Sequence, residues 1–492
     1  MECVHVRNAF LSGHFFTFAL IGLLGLSTPS AAQTALETRL PVLSDATSSA
    51  ISLQSEYRLG RNWARILRGQ APLMHDALVY HYLEELLWDL VPHSQLQDRR
   101  LELIVLDNPT FNAFAVPGGI VGVHGGLVVA AESEDELASV LAHELAHLSQ
   151  RHFAQRLEEE RRNRPVMLAG VLASILIGAM DTQGGAAALS STLAASAQAQ
   201  LAFSRRNEEE ADRIGMQTLT ASGRDPQAMP DMFSRLQRNY RFYGQRPPEF
   251  LLTHPVTESR IADSLNRVSS LQRPSPRPYS PDFDLIRTRL QVHFSSQPGE
   301  ILQRFLADSR SSQAGRHDYG VMLAAMRTGD LALAETHYRK LPDNWRQHLY
   351  TEITYVEWLL AAGRKAEAAE ASQRLLALYP GSLPVQKLQA RVMRESQNYT
   401  QATAQYRAIL QNYPNDTDAW YELAETEGLL GNILAVHEAR IEYFLLTGNF
   451  DQALRQLEFA KRERGLTASD QERLERREKE AQEIRRQMRE DF

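Results

Sequence analysis

Four positions in the second half of the chain are separated by 34 residues each, and this spacing is the strongest constraint on the fold. They are Gly329, Gly363, Gln397 and Gly431. Five residues further on, each unit has a small or medium-sized apolar residue: Ala334, Ala368, Ala402 and Val436. Small side chains at a fixed place let two antiparallel helices approach closely. The spacing therefore predicts a stack of helical pairs, in which each pair buries its apolar face against the next.

This pattern resembles the tetratricopeptide repeat. Tyr338 and Tyr406 occupy matching places in two units, and Pro380 and Pro414 close two of them. The alternative is a helical array with accidental spacing, and a register kept over four units argues against it. We expect the repeats over residues 311–461. A charged helix, most simply a solvated cap, is expected over residues 462–492.

The rest of the chain has room for another domain, since 492 residues exceed what one hydrophobic core organises. Mixed helix and strand patterns predict an α+β domain over residues 33–272. Four prolines between residues 274 and 281 predict a linker, with a connecting helix, over residues 273–310. The predicted fold class is mainly α, an α+β domain followed by an α-solenoid. The formal net charge of −7 argues against a nucleic-acid partner.

The N-terminus has the pattern of a cleaved signal peptide. The stretch from Phe15 to Leu26 is apolar and uncharged, and Ser30 and Ala32 are the small residues that a signal peptidase reads. A membrane anchor is the alternative, but the run is shorter than the ~20 residues that span a bilayer. We expect residues 1–32 to be removed and the protein to be exported to the periplasm. Cleavage would also remove Cys3, the only cysteine.

A metal-binding motif lies in the middle of the α+β region. His143 and His147 are four residues apart, so on a helix both imidazoles share one face and can hold one metal ion. Glu144 projects to one side, where it can reach a water molecule. Zinc suits this donor set best, and we expect one Zn²⁺ per chain. A capping box that begins at Ser133 starts this helix, which is predicted to continue to about Arg162.

The third metal ligand distinguishes the classes of zinc peptidase. A metzincin would have glycine and histidine where this chain has Gln150 and Phe153, so that class is excluded. His152 falls outside the ligand register and is interpreted as a helix-end or surface histidine. Glu208 and Asp212 lie four residues apart on a later helix. One of them could bind the metal while the other accepts the N–H of a ligand histidine, or the acidic run could be a solvated helix face.

Taken together, these motifs resemble the metallopeptidase family of the CAAX prenyl proteases and HtpX. The resemblance rests on the following segments: His143 to His147, Glu208 with Asp212 and Gly215, Asn112 to Gly119, and Thr253-His254-Pro255 with Arg260. It implies that His143, His147 and Glu208 bind zinc, and that Asp212 supports a ligand. It also implies that Glu144 is the general base that activates water and then donates the proton to the leaving amine.

The same resemblance implies two further features. Asn112, Ala113, Phe114 and Ala115 would form an edge strand that pairs with the substrate backbone. His254 would either close the zinc site as a regulatory ligand or stabilise the oxyanion. The remaining alternative is a turn histidine before Pro255.

Family members with a signal peptide and C-terminal repeats imply a periplasmic zinc metalloendopeptidase with a chaperone-like role in outer-membrane protein assembly and quality control. Its substrates would be unfolded or misassembled outer-membrane proteins, and the repeats would contact the assembly machinery. The alternative is a repeat scaffold or chaperone whose protease activity is latent. The apolar run of residues 166–180 is short, so the segment 166–199 is expected to make at most peripheral membrane contact, as a buried or interfacial helix pair with a mobile flap.

Overall fold

The computed structural model describes residues 52–156, 204–243, 249–275, 277–308 and 314–491. The expected signal peptide and the segment 166–199 lie outside these residues. Within the described part of the chain, no helix combines the length and apolar character needed to cross a membrane.

The structure is mainly helical with one small sheet, which confirms the predicted fold class. The elements of the N-terminal part are helices α1 Leu53–Gln70, α2 Ala77–Leu90, α3 Gly125–Ala130, α4 Glu134–Ser149, α5 Arg205–Ala221, α6 Ala228–Tyr243, α7 Glu249–Thr253 and α8 Glu258–Ser270, a 3-10 helix Val91–His93, and strands β1 Glu102–Leu106, β2 Ala113–Val116 and β3 Ile120–His124. The elements of the C-terminal part are α9 Asp282–His293, α10 Pro298–Ala307, α11 Ala314–Thr328, α12 Leu331–Lys340, α13 Asp343–Arg346, α14 Leu349–Ala361, α15 Lys365–Leu378, α16 Leu383–Glu395, α17 Tyr399–Asn412, α18 Thr417–Leu430, α19 Ile433–Leu446, α20 Phe450–Arg462 and α21 Ala468–Asp491.

The sheet has the order β1-β3-β2, with β1 parallel and β2 antiparallel to β3. Strand β2 therefore lies at an edge of the sheet, and all four of its residues are buried. Asn112 precedes this strand, and its carbonyl accepts a hydrogen bond from the His124 N–H at 3.0 Å. Gly118 and Gly119 both have φ of +78°, which lets the chain turn tightly between β2 and β3.

Helix α4 is shorter than the sequence suggested. Ser133 caps it as predicted, because its hydroxyl accepts a hydrogen bond from the Glu136 N–H. The predicted continuation to Arg162 was wrong, since the helix ends at Ser149 and Arg151 adopts a left-handed φ of 53°. The Arg151 guanidinium is held by the carboxylate of Glu56, with Nε 2.8 Å from Oε1. The chain is helical again over residues 152–156, along a different path.

The helical repeats form as predicted. The four positions that define the 34-residue spacing all have positive φ, with values of 83°, 72°, 65° and 75° in chain order for Gly329, Gly363, Gln397 and Gly431. Each therefore reverses the chain between the two helices of a pair. The four small residues that follow are all buried, from 0% exposed at Ala334 to 9% at Val436. Helix α21 packs on α20 through Leu474 and Ala481.

The repeats and the N-terminal part share one apolar core, which extends from α2 and the sheet to α16. The buried guanidinium of Arg289 in α9 joins the two parts, because it pairs with Asp76 before α2 and Glu357 in α14. A second junction lies at the far end of the array. An added Cβ at Gly69 in α1 would lie 2.1 Å from the carbonyl oxygen of Thr447, so only glycine permits this contact.

Candidate metal centre

Helix α4 brings two imidazoles together inside the protein. His143 and His147 lie one turn apart, and their Nε2 atoms are 3.0 Å from each other. Both side chains are buried, as is Glu144 between them in sequence. Burial lowers the pKa of His147 well below its usual value and so favours the neutral imidazole, the form that binds metals.

Helix α5 packs directly against α4 and supplies a carboxylate. Gly215 permits the close approach, because an added Cβ would lie 3.1 Å from the backbone nitrogen of His143. The Oε2 atom of Glu208 lies 3.6 Å from Nε2 of His143, and its Oε1 atom lies 3.4 Å from Nε2 of His147. Burial alone would raise the pKa of Glu208, but His254, His143 and His147 hold it well below the usual range. This carboxylate is therefore ionised.

His254 completes the cluster from the end of α7. Its Nδ1 atom lies 3.3 Å from Nε2 of His143 and 3.1 Å from Oε1 of Glu208. The ring stacks on the buried ring of Phe250, with centroids 4.8 Å apart. The sequence placed His254 near the site by resemblance, and the geometry brings it among the candidate ligands.

The spacing of these four groups fits a metal ion. Donor atoms about 2.0–2.2 Å from a tetrahedral zinc ion lie about 3.3–3.6 Å from one another. The separations between the donor atoms of His143, His147, Glu208 and His254 given above run from 3.0 to 3.6 Å. All four side chains are buried, and their donor atoms lie within 4.8 Å of one another. The donor set of three imidazoles and one carboxylate also suits zinc.

Asp212 and Arg260 support this cluster from behind. Asp212 Oδ1 lies 3.0 Å from Nδ1 of His143, the ring nitrogen that faces away from the other ligands. Arg260 donates two hydrogen bonds of 2.6 Å to Asp212, and its Nη1 lies 2.7 Å from Oε2 of Glu208. The same Nη1 donates to the carbonyl of Pro255 at 2.8 Å, so Arg260 also fixes the His254 turn.

The charges behind the cluster affect protonation. Burial alone would raise the pKa of Asp212, but hydrogen bonds from Arg260 and His143 hold this pKa below its usual value. Burial opposes the charged form of His143, but Asp212 and Glu208 raise its pKa to about 9. A metal ion that binds Nε2 of His143 must therefore displace a proton.

Glu144 lies beside the cluster and is 0% exposed. Its Oε1 atom is 3.7 Å from Nε2 of His254, the second nitrogen of the ring whose Nδ1 lies near His143 and Glu208. Burial raises the pKa of Glu144, opposed by His254 and His143. A carboxylate with a raised pKa is better suited to accept a proton and return it.

The edge strand reaches the same site. Ala115 of β2 and His147 line one small cavity, together with Arg151 and Phe153. The strand residues expected to pair with a substrate backbone therefore run past a candidate metal ligand.

The sequence predicted that His152 is a helix-end or surface histidine, and the surface alternative was wrong. It is 0% exposed, not a surface histidine. Its Nδ1 atom lies 3.0 Å from Nδ1 of His147, and its Nε2 atom lies 3.4 Å from Oε2 of Glu210. On an unbroken helix, a residue five positions after His147 would point about 140° away from it. Only the break at Arg151 brings the two rings together, and no simple sequence pattern signals that break.

Two histidines one turn apart, a glutamate from a second helix and a buried carboxylate beside them define a metallopeptidase site of the HExxH type. Comparison with known proteins agrees. Residues 78–268 match the model of peptidase family M48, and residues 356–382 and 383–426 match tetratricopeptide repeat models.

Curated relatives extend the match over most of the chain. The beta-barrel assembly-enhancing protease of Escherichia coli O157:H7 is 35% identical over 423 residues, which cover 84% of this chain and 85% of the relative. The Yersinia pestis protein of the same name is 34% identical, with 84% and 86% covered. The mitochondrial metalloendopeptidase OMA1 of Schizosaccharomyces pombe is 32% identical over 37% of this chain and 50% of its own length. The chain belongs to peptidase family M48, and it is a metal-dependent protease that carries tetratricopeptide repeats.

Proposed function

We propose that this protein is a zinc endopeptidase of the bacterial periplasm that acts on outer-membrane β-barrel proteins during their assembly. The observation that carries the proposal is the tetrahedral spacing of four buried donor groups beside a buried carboxylate. Zinc at this place would supply the Lewis acid that polarises the peptide carbonyl and acidifies water. His143, His147 and Glu208 would hold it, and His254 would fill the fourth position.

The protein's own residues would divide the remaining work. Glu144 takes a proton from the attacking water and delivers it to the leaving amine, a role suited to its raised pKa. Asp212 accepts the N–H of His143 and so directs the other ring nitrogen toward the metal. Strand β2 offers its free edge to an extended substrate segment, which places a peptide bond next to the metal ligands.

The relatives and the repeats support the proposed substrate class. The relatives are named for enhancing β-barrel assembly, and we extend that role to this chain. A cavity of about 1100 Å³ is lined by residues of the peptidase domain and by residues of the repeats. Charged side chains of both signs and aromatic rings line it, among them the Arg391–Glu395 and Arg394–Glu422 pairs, Tyr406 and Tyr421. Unfolded or misassembled outer-membrane proteins, or the assembly machinery itself, would bind there. Export by cleavage after residue 32 is part of the proposal.

A second function is favoured by the closed site. With His254 among the ligands and Glu144 0% exposed, a substrate carbonyl has no open position. The protein would then act chiefly as a repeat scaffold or chaperone in outer-membrane assembly, and its protease activity would be released when a client moves the His254 turn.

Zinc analysis combined with hydrolysis tests the primary function. Wild-type protein should contain one zinc per chain and cleave an unfolded β-barrel protein. Glu144→Gln, which cannot accept a proton but keeps the side-chain size, should retain zinc and lose about 10²–10⁴-fold in rate. Activity of this variant within a few-fold of wild type would refute the role of Glu144, and a metal-free wild type would refute the zinc assignment.

A further inference from the structure

His152 lies directly behind His147, on the side opposite the candidate metal position. The Nε2 atom of His147 faces the other ligands, 3.0 Å from His143 Nε2 and 3.4 Å from Glu208 Oε1. Its Nδ1 atom faces His152, with the two Nδ1 atoms 3.0 Å apart. The carboxylate of Glu210 follows, 3.4 Å from His152 Nε2. These side chains thus form a single row from α5 to the metal site.

The chemistry of this row fixes which atoms hold protons. An imidazole nitrogen that binds a metal carries no hydrogen, so a ligand His147 must carry its hydrogen on Nδ1. That N–H can donate to His152 only if Nδ1 of His152 is the bare nitrogen. Nε2 of His152 then carries the hydrogen and donates it to Glu210, an ionised acceptor. Each of the three side chains thus has one protonation state that fits this row, and the three states are consistent with one another.

The backbone conformation of Arg151 places the His152 ring next to His147. The left-handed conformation of Arg151 ends α4 and redirects the chain, and such a conformation is costly for a residue with a side chain. The Arg151–Glu56 ion pair stabilises it, with both side chains largely buried. A strained turn held by a buried ion pair is expected where the position of the next residue matters.

We propose that His152, backed by Glu210, is a positioning residue that orients His147 toward the metal. Asp212 does the same for His143 directly, through a carboxylate at 3.0 Å from Nδ1. Both ligand histidines of α4 are thus oriented by a carboxylate of α5. Asp212 acts on His143 directly, and Glu210 acts on His147 through the imidazole of His152. This inference rests on the proposed zinc site, because it assigns His152 a role toward that ion.

Zinc affinity measured by chelator competition tests the proposal. His152→Ala should bind zinc about 10–100-fold more weakly than wild type, the usual effect of losing a partner of a ligand histidine. His152→Gln should recover part of the loss, because its amide oxygen can accept the His147 N–H. His437→Ala is the matched control, since His437 is also largely buried and hydrogen-bonded, with Nδ1 2.6 Å from Oε1 of Gln456, but lies in the repeats. It should leave zinc affinity unchanged.

Two further measurements separate positioning from loss of folding. The visible spectrum of the Co²⁺-substituted protein should shift in His152→Ala and not in His437→Ala, because the ligand field reports the orientation of His147. Glu210→Ala, at a partly exposed position, should fold normally and weaken zinc binding by a few-fold. Wild-type zinc affinity and an unchanged cobalt spectrum in both His152→Ala and Glu210→Ala would overturn the inference. Wild-type protein that bound no zinc would instead overturn the proposed function.

Discussion

The Nε2 atom of His254 lies 3.7 Å from Oε1 of Glu144, while Nδ1 of the same ring lies 3.1 Å from a carboxylate oxygen of Glu208. One imidazole thus separates the proposed general base from the proposed metal ligands. In the proposed closed site, this ring would take the position that a substrate carbonyl or an attacking water needs. One nitrogen of this ring faces Glu144, the proposed general base, and the other faces Glu208, a proposed zinc ligand.

The first prediction follows from that position. His254→Ala should raise basal proteolysis, including self-cleavage, because it frees the fourth position, and it should leave zinc bound by three ligands. Rates on an unfolded β-barrel substrate, together with zinc content, provide the measurement. If His254 instead stabilises the oxyanion, the same substitution should lower the rate by about 10²–10³-fold. The sign of the change decides between the two roles, and no change would leave His254 as a turn residue.

The second prediction separates two neighbouring glutamates. Glu208→Ala should strongly weaken zinc binding, because Glu208 is 1% exposed and lies among the imidazoles, whereas the exposed Glu209 next to it should be replaceable. Chelator competition on both variants provides the comparison. Equal zinc affinities for Glu208→Ala and Glu209→Ala would contradict the ligand assignment.

The third prediction concerns Arg260. Arg260→Ala should destabilise the protein by about 3–5 kcal/mol, because it leaves the buried carboxylates of Asp212 and Glu208 without their cation. Urea unfolding of the metal-free protein measures this loss. The control is Arg267→Ala on the same helix, whose exposed pair with Asp263 should contribute no more than about 1 kcal/mol. Similar losses for both variants would show that the buried network is not what stabilises this region.

The fourth prediction concerns the one repeat position that is not glycine. Gln397 has a φ of 65°, a conformation that costs a residue with a side chain about 1–2 kcal/mol. Gln397→Gly should therefore stabilise the repeats, by somewhat less than that cost because glycine adds freedom to the unfolded chain. The reverse change, Gly363→Gln, should destabilise the repeats, because the φ at this position is 72°. An added Cβ meets nothing within 4 Å, so the loss would come from backbone strain and not from a steric clash. Thermal unfolding that moves both variants in the same direction would refute this account.

The fifth prediction is a dependence on pH. His75 joins the peptidase domain to the repeats, with Nδ1 2.6 Å from Oδ1 of Asp418, and that hydrogen bond raises the pKa of His75 above 6.5. A raised pKa in the folded state means that the contribution to stability is complete below about pH 6.5. It is lost as the pH rises through the folded-state value.

His75→Gln should accordingly lower the melting temperature more at about pH 5.5 than at about pH 8. The effect should be small, because the His75 side chain is 71% exposed and solvent screens the pair. An equal change at both pH values would indicate that the charged pair does not contribute.

The sequence predicted most of the helical repeats and much of the site. The 34-residue spacing identified the positions that adopt positive φ, because each repeat depends on local helical geometry that recurs. The pairing of His143 with His147 was equally local. Glu208 remained ambiguous from the residues alone, because an acidic run on a helix is usually solvated, and only packing shows which carboxylate faces inward.

The site residues that the sequence misjudged depend on the path of the chain. His152 was interpreted as a helix-end or surface histidine because an unbroken helix was assumed through Arg151. The buried partner that permits the break, Glu56, lies 95 residues earlier. The distance between His254 and Glu144 likewise depends on the packing of α7, and no spacing in the sequence encodes it. Non-local contacts of this kind are what sequence patterns omit.

The contact between Gly69 and Thr447 has a consequence for how this protein could evolve. Open repeat arrays gain and lose whole repeats with little disturbance, because each repeat touches only its neighbours. Here both the first and the last repeats contact the rest of the protein, through the Arg289–Glu357 ion pair and the contact of Thr447 with Gly69. The contact at Gly69 leaves no room for a side-chain atom. Duplicating or deleting one 34-residue unit would carry Thr447 away from its partner. These contacts therefore constrain the number of repeats, and if the repeats bind clients as proposed, a change in client preference would arise by substitution within the existing repeats.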